Sequence, residues 1–232
     1  MHEDRHSVRI NKYLASKKIS TRRDADELIK KGCVFINNKL AMLGDKVSEG
    51  DKVEVKQREK KYRYFAYNKP RGIITHSAQN NEEDIKSVFP VENVFPVGRL
   101  DKDSYGLIIL TDDGRIVDPL LNPDYAHEKE YEIFCLTRLP SDFKKKMETG
   151  VDIGGYVTKP CVIKILSGKR FSIVLTEGKK HQIRRMCGAF GQSAIAIQRK
   201  RIMNIKLGSL KENEYRSIAG RELNDFLGAL GL

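Results

Sequence analysis

Ile10, Tyr13 and Leu14 recur at i, i+3 and i+4, the spacing of one helix face, and predict a short first helix. A second is better marked. Thr21 is a helix-capping residue with Asp24 three positions on, in the manner of a capping box, Ala25, Leu28 and Ile29 give an apolar face, and Gly32 supplies the stop. The pattern then changes to short apolar runs. Val34-Phe35-Ile36 reads as a strand, Asn37-Asn38-Lys39 as a tight turn, and Val53-Glu54-Val55 as a strand entered through Gly50-Asp51. Residues 56–63 are polar and highly charged and read as a linker, placed at 59–63 between a domain at 1–58 and another at 64–232. From Tyr64-Phe65-Ala66-Tyr67 onward, apolar runs alternate with turns: Gly72 to Thr75, Leu107 to Leu110, Tyr131 to Phe134 and Phe171 to Leu175. One later helix stands out near His181 to Phe190. The expected class is α+β, with two helices and small strands first, and then a mainly antiparallel mixed sheet with flanking helices.

Composition narrows the functional classes. The 232 residues carry a formal charge of +12 and 40% hydrophobic residues, enough for a packed core in each part. The charge is uneven, since residues 178–211 hold nine Lys or Arg and no Asp or Glu. Such a block attracts polyanions, although a solvated basic face would look the same. The four cysteines are far apart and form no CxxC pair, so neither a zinc site nor a disulfide framework is expected. The first residues are charged, unlike a signal peptide, and no run approaches membrane-span length, so a cytoplasmic protein is expected. No internal repeat is visible.

Arg22 and Arg23 fall in the first turn of the second predicted helix, where cations oppose the helix dipole. A stretch selected only for helix stability would place acids there, which suggests a negatively charged partner. In residues 98–107, a polar loop bearing Arg99, Asp101 and Asp103 leads into the apolar strand Leu107 to Leu110. Asp101, Asp103 and Gly106 have part of the spacing of an EF-hand calcium loop, but Tyr105, Ile109 and Asp112 stand at the later ligand positions. An ordinary surface turn fits the spacing equally well, and Asp112-Asp113-Gly114 reads as one. In the helix at 181–190, Ile183, Met186, Cys187 and Phe190 form the apolar face. Arg184 then lies at its edge, placed to reach an internal carboxylate, and Arg185 lies nearly opposite, toward solvent or phosphate.

Three words of the first region, Arg9-Ile10-Asn11-Lys12-Tyr13-Leu14, Ser20 to Ala25 and Gly32 to Asn37, resemble the S4 RNA-binding domain. Four words of the second region resemble the RNA pseudouridine synthases, in their order. These are Asn68-Lys69-Pro70-Arg71-Gly72, Gly98-Arg99-Leu100-Asp101-Lys102-Asp103-Ser104 with Gly106-Leu107, His127-Glu128-Lys129-Glu130-Tyr131, and His181-Gln182-Ile183-Arg184-Arg185-Met186. The combination is similar to the RsuA-like group, which joins an S4 domain to this catalytic fold. The chain departs from the group in lacking Trp, with Glu214-Tyr215-Arg216 where relatives often carry Trp-Arg, and the long basic tail of some relatives is not expected after Leu232.

The resemblance implies isomerisation of uridine to pseudouridine in structured RNA, most of all a stem-loop of 23S ribosomal RNA, with transfer RNA as the other target. It implies Asp101 as catalytic carboxylate, Tyr131 stacked on the flipped uracil, and Arg184 beside Asp101. Arg99 would fill the gap left by the flipped base, since extrusion costs a few kcal/mol. The further RNA-contact candidates are Lys12, Arg22 and Arg23, then Lys69, Lys179, Lys180, His181, Arg185, Arg199, Lys200 and Arg201. No cofactor, metal or membrane is expected, and the chain is expected to act as a monomer. The alternative is a non-catalytic RNA-binding or ribosome-assembly factor, which would use the same basic surfaces without needing Asp101, Tyr131 and Arg184. A glycosidase or nuclease pairing Asp101 with Asp103 is disfavoured, because residues i and i+2 of an extended segment face opposite ways.

Overall fold

A computed structural model describes residues 7–56, 61–77 and 82–232. Two compact units emerge: one runs to Tyr62 and takes in Asp113–Arg115, and the other comprises Arg63–Asp112 and Ile116–Gly231. Residues 59 and 60 of the expected linker lie outside the described residues.

The first unit contains β1 (Val8–Arg9), α1 (Ile10–Ser16), α2 (Arg22–Lys30), β2 (Val34–Ile36), β3 (Lys39–Leu40), β4 (Lys46–Val47) and β5 (Val53–Val55). Thr21 caps α2, its hydroxyl accepting from the Asp24 N–H at 3.1 Å, a bond worth about 1 kcal/mol. Beyond α2, Gly32 takes a left-handed φ of +69° and its N–H reaches the Ile29 carbonyl, while Cys33 N–H reaches Leu28. This is the glycine-terminated helix end that the sequence implies. Asn37 and Asn38 both have positive φ, as a two-residue hairpin turn requires, and place Ile36 opposite Lys39. Ile10, Leu14, Ala25, Ile29, Val34, Ala41 and Val47 form the buried core of this unit. The β1–β4 pairing has two residues on each side, too short to read from alternation.

The second unit contains β6 (Tyr64–Lys69), α3 (Ile85–Val88), β7 (Phe95–Val97), β8 (Tyr105–Thr111), α4 (Val117–Leu121), β9 (Lys129–Cys135), α5 (Phe143–Glu148), β10 (Val162–Ser167), β11 (Arg170–Leu175), α6 (Gln182–Gly188), β12 (Ala194–Ile202), β13 (Ile205–Lys206), β14 (Tyr215–Ser217) and α7 (Gly220–Ala229). The strands form a sheet of order β10-β11-β9-β12-β8-β6-β14, with β13 on β12 and β7 on β8. Every described pairing in it is antiparallel except β12 with β8. β6 and β8 lie between neighbours and are almost wholly buried, which is why they are nearly continuous apolar runs. Two cores result. One packs β9, β11 and β12 against α5 and α6 through Ile133, Phe143, Phe171, Ile173 and Met186. The other joins β6 and β8 to α3 through Phe65, Tyr67, Ile85, Phe89 and Ile108. Tyr131 packs against both.

Three local expectations are corrected. Gly72 to Thr75 forms no strand beyond a single bridge of Ile74 to Asp84. Its backbone braces the neighbouring loop instead: Gly72 N–H donates to Lys102 O, and the Thr75 hydroxyl both donates to and accepts from the Leu100 backbone. Asp113 is fully buried, its carboxylate held by the Arg115 backbone and guanidinium, so Asp112-Asp113-Gly114 is not an ordinary surface turn. Asp101 to Ser104 is a tight turn closed by Ser104 N–H on Asp101 O, so the extended-segment argument against pairing Asp101 with Asp103 does not apply.

Candidate active site

The loop 98–104 owes its position to how β8 is shared. β12 pairs with the first residues of β8, Tyr105 and Gly106, and β7 pairs with its last, Ile109 to Thr111. The chain leaving β7 therefore returns past β12 to re-enter the sheet at Tyr105. Gly106 makes the close approach possible. Its φ is +103°, and a Cβ there would collide with the backbone N and O of Arg199. Arg199 fastens the loop in return, donating from Nε to Leu107 O at 2.6 Å and from Nη1 to Arg99 O at 3.3 Å.

A pocket of about 530 Å³ opens beside this loop. Asp101, Tyr131 and Arg184 all line it, as do Arg99, Lys179, Lys180, His181 and Arg199. Asp101 and Arg184 form no ion pair among the described residues. Arg184 Nη1 donates to Ala194 O at 2.6 Å, and its buried Nη2 has no hydrogen-bond partner among the described residues. The contact of Asp101 is His181, whose Nδ1 stands 3.1 Å from Oδ2. His181 holds a left-handed φ of +52° immediately before α6, which brings its ring toward the loop. It was expected only to touch RNA.

The other basic candidates separate by burial. Arg99, Lys179, Lys180 and His181 are exposed at the pocket, and Lys179 Nζ lies 4.3 Å from the centre of the Tyr156 ring. Lys12, Arg22 and Arg23 are exposed on the first unit. Three candidates are not open surface contacts. Lys69 is fully buried and donates to Pro70 O and Ile73 O, with burial and then the Arg199 charge pulling it down to about 8. Arg199 is 3% exposed, because it occupies an inward position of β12. Arg201 is ion-paired with Glu128 and Glu130 across β9. Arg185 is exposed, as expected, and also donates to Ile153 O and Gly154 O. Lys200 is half-buried and reaches Gln198 Oε1 at 3.4 Å.

Two pocket residues escaped sequence reasoning. Lys129 stands two positions before Tyr131 on β9, so strand periodicity puts both on one face. Burial and then the Arg199 charge bring it down to about 8. Glu177 is 4% exposed and accepts from the Tyr156 hydroxyl, the Lys159 N–H and Gln182 Nε2, tying the chain before α6 to its first residue. The abrupt change from one acid to a basic run was its only signal. Among the described residues, no group of three His, Cys, Asp or Glu could hold a metal ion, all four cysteines are free, and no helix is long and apolar enough to cross a membrane.

A family model described as RNA pseudouridylate synthase matches residues 63–189, and one for the S4 domain matches residues 8–53. The chain is 40% identical over 226 residues to the dual-specificity RNA pseudouridine synthase RluF of Escherichia coli (strain K12), covering 94% of this chain and 78% of that protein. It is 32% identical to ribosomal large subunit pseudouridine synthase B of Bacillus subtilis (strain 168), covering 93% of each. A solved structure titled as a pseudouridylate synthase superposes with a TM-score of 0.69 at 26% identity, covering 96% of this chain and 99% of that one. The words Val94-Phe95-Pro96, Asp101 to Ser104 and Arg201-Ile202-Met203-Asn204 resemble the same subgroup, ribosomal large subunit pseudouridine synthase F.

Proposed function

The chain belongs to the RNA pseudouridine synthases and carries an S4 domain ahead of the catalytic one, and from that premise we propose that it isomerises one class of uridine in a stem-loop of 23S ribosomal RNA, with Asp101 as the catalytic carboxylate. The observation carrying this reading is the single pocket lined by Asp101, Tyr131 and Arg184. The reaction breaks the C1′–N1 bond, turns the uracil and rejoins it through C5. It is redox-neutral and transfers no group from a donor, so it calls for no cofactor or metal. A carboxylate acts as nucleophile or proton acceptor. His181 holds and orients Asp101, and Arg184 adds positive charge to the same pocket.

A uridine inside a helix cannot reach such a pocket, so the target flips out. Tyr131 then stacks on the flipped ring, and exposed Arg99 fills the vacated stack. Exposed Lys179 and Lys180 at the mouth, with Lys12, Arg22 and Arg23 of the S4 domain, hold phosphates. The name of the Bacillus subtilis relative favours large-subunit RNA, and the "dual-specificity" name of the Escherichia coli relative favours a second substrate, for which a transfer RNA stem-loop is the candidate. The protein acts as a cytoplasmic monomer in this reading.

Asp101→Asn keeps the size and removes the charge. Its expected result is loss of turnover of at least about 1,000-fold with RNA affinity kept. Near-normal pseudouridine formation by the purified variant removes Asp101 from the mechanism. Mapping pseudouridines in ribosomal and transfer RNA from cells with and without the protein identifies the substrate, and loss of none of them leaves the RNA-binding factor as the better reading.

A further inference from the structure

The pocket contains more positive charge than its two carboxylates, Asp101 and Glu177, balance. Arg199 is only 3% exposed, and its Nη2 makes no hydrogen bond among the described residues. Its two other bonds go to neutral carbonyls, Leu107 O and Arg99 O. Neither Arg199 nor Lys129 belongs to an ion pair among the described residues, whereas nearby Arg201 has two carboxylates. A buried charged donor left unmet is penalised by several kcal/mol and calls for an explanation.

Strand register shows where these groups point. In the β9–β12 ladder Arg199 is directly opposite Tyr131, and Lys129 is two residues from Tyr131. A bulge between Arg199 and Arg201 keeps Lys129 opposite Ile202, on the same face. Lys129, Tyr131 and Arg199 therefore share one face of the sheet, and all three line the pocket. Lys129 Nζ donates to His127 O at 3.2 Å, which leaves further donors of its ammonium for an occupant.

We propose that Arg199 and Lys129 bind the carbonyl oxygens of the target uracil and stabilise the negative charge that the ring carries while it is detached from, or activated toward leaving, the sugar. This rests on the reading of Asp101 given above. When C1′–N1 breaks, the bonding electron pair stays with the base, and conjugation spreads it onto O2 and O4. After the ring turns, C5 bonds to C1′, the C5 hydrogen leaves as a proton, and N1 takes up a proton, so the formula is unchanged. Attack on C6 by Asp101 also places negative charge on O4. Both routes need fixed donors where that charge develops, which is the role of an oxyanion hole. A phosphate is a poorer fit for the position. It is attached to chain on both sides and stays at the mouth, near Arg99, Lys179 and Lys180, whereas a flipped planar ring can reach the buried strands.

The test uses the full chain and a 23S ribosomal RNA transcript. Single-turnover rates at saturating enzyme are measured beside dissociation constants for Lys129→Met, Lys129→Arg and Arg199→Met. The expected result is a rate about 100-fold lower for each Met variant, the size of effect seen when one oxyanion donor is lost, with affinity changed less than about 2-fold. Lys129→Arg should recover to within about 10-fold of wild type, which a purely structural loss would not do. Because Arg199 also holds the loop, Arg199→Met can unfold locally. Lys129→Met then decides, since its one described hydrogen bond goes to the edge of β9. A Lys129→Met rate within about 3-fold of wild type overturns the proposal. So does a loss that appears in affinity with a shallower salt dependence, which would make these groups phosphate ligands. Activity of Asp101→Asn would overturn the underlying reading instead, whatever the Lys129 variants do.

Discussion

The two units use the same residue types in opposite ways. In the S4 domain, Lys12, Arg22 and Arg23 stand exposed, and none makes a hydrogen bond or ion pair among the described residues. In the catalytic unit, Lys69, Arg185, Arg199 and Arg201 are bound by carbonyls or carboxylates of the chain. Equal positive charge in the sequence therefore stands for two different things. On the first unit it is potential available to a polyanion. In the second much of it is internal, where it fastens a loop, joins strands or lines a pocket. The difference follows from the elements. A short amphipathic helix leaves its cations on the solvent side, whereas a strand inside a sheet turns every second residue inward, whatever its type.

The sharpest way to break this contrast is to displace Arg199. Gly106→Ala places a methyl against the Arg199 backbone at a φ of +103°. The parallel pairing of β8 with β12 and the Nε bond to Leu107 O would then both shift. The expected loss is about 4 kcal/mol or more, combining backbone strain with a collision that cannot relax through a side chain. Gly44→Ala in the S4 unit is the control. Its φ of +94° is equally unfavourable, but nothing lies within 4 Å, so the strain alone is expected, about 1–2 kcal/mol. Urea unfolding of both variants measures the difference. Equal losses would mean that the close approach of β8 to β12 is not what fixes the loop.

A second test addresses the internal cations directly. Burial, and then the Arg199 charge, lowers Lys69 to about 8, against an unfolded value of about 10.4. Below about pH 8 both states are protonated, and the buried charge works against folding. Between about 8 and 10.4 the folded protein gives up its proton first, so the unfolded chain binds more protons and stability rises with pH. The gain is at most about 3 kcal/mol. Lys69→Met lacks it, while the similar contribution of Lys129 is common to both proteins and cancels. The unfolding free energy of wild type minus that of Lys69→Met should therefore grow from pH 7 to pH 10. A flat difference would show that Lys69 is solvated rather than enclosed.

These contrasts also mark what the sequence makes legible. Thr21, Gly32 and the Asn37-Asn38 pair act through local backbone preferences, and each does in the structure what its type implies. Three of the four motif words meet at one pocket, from the loop before β8, from β9 and from the start of α6, while Asn68 to Gly72 does not line it and reaches the 98–104 loop through the Gly72 N–H. Arg199 was not legible as an internal residue. Gln198-Arg199-Lys200-Arg201 reads as a basic patch, and only the bulge and the register with Tyr131 decide which of the four turns inward. The same holds for Gly72 to Thr75. Its apolar run resembles a strand, but its hydrogen-bonding groups go to separate tertiary partners that no local pattern announces: Gly72 N–H and the Thr75 hydroxyl to the 98–104 loop, Ile74 to Glu83 and Ile85. The His181 contact with Asp101 depends on one left-handed residue before α6, a conformation uncommon outside glycine and not announced by any local pattern.

The smallest expected effect is on the exposed side of the comparison. Arg22 and Arg23 occupy the first turn of α2, where the helix dipole disfavours cations, and only Asp24 is acidic there. Replacing both with Ala should leave the fold intact or slightly more stable, since the capping bond from Thr21 is untouched. If each arginine holds one phosphate, each removes about 0.9 from the slope of log K against log[salt] on duplex RNA, and somewhat less on a single strand. The double variant should therefore bind a 23S transcript more weakly at low salt, with a slope shallower by about one to two. The rate of the saturated complex should change little, because Asp101, Tyr131 and Arg184 belong to the other unit. An unchanged slope would mean that the two arginines are only solvated. A normal slope with a collapsed single-turnover rate would count further against the division of labour, because it would place the S4 domain within the catalytic step.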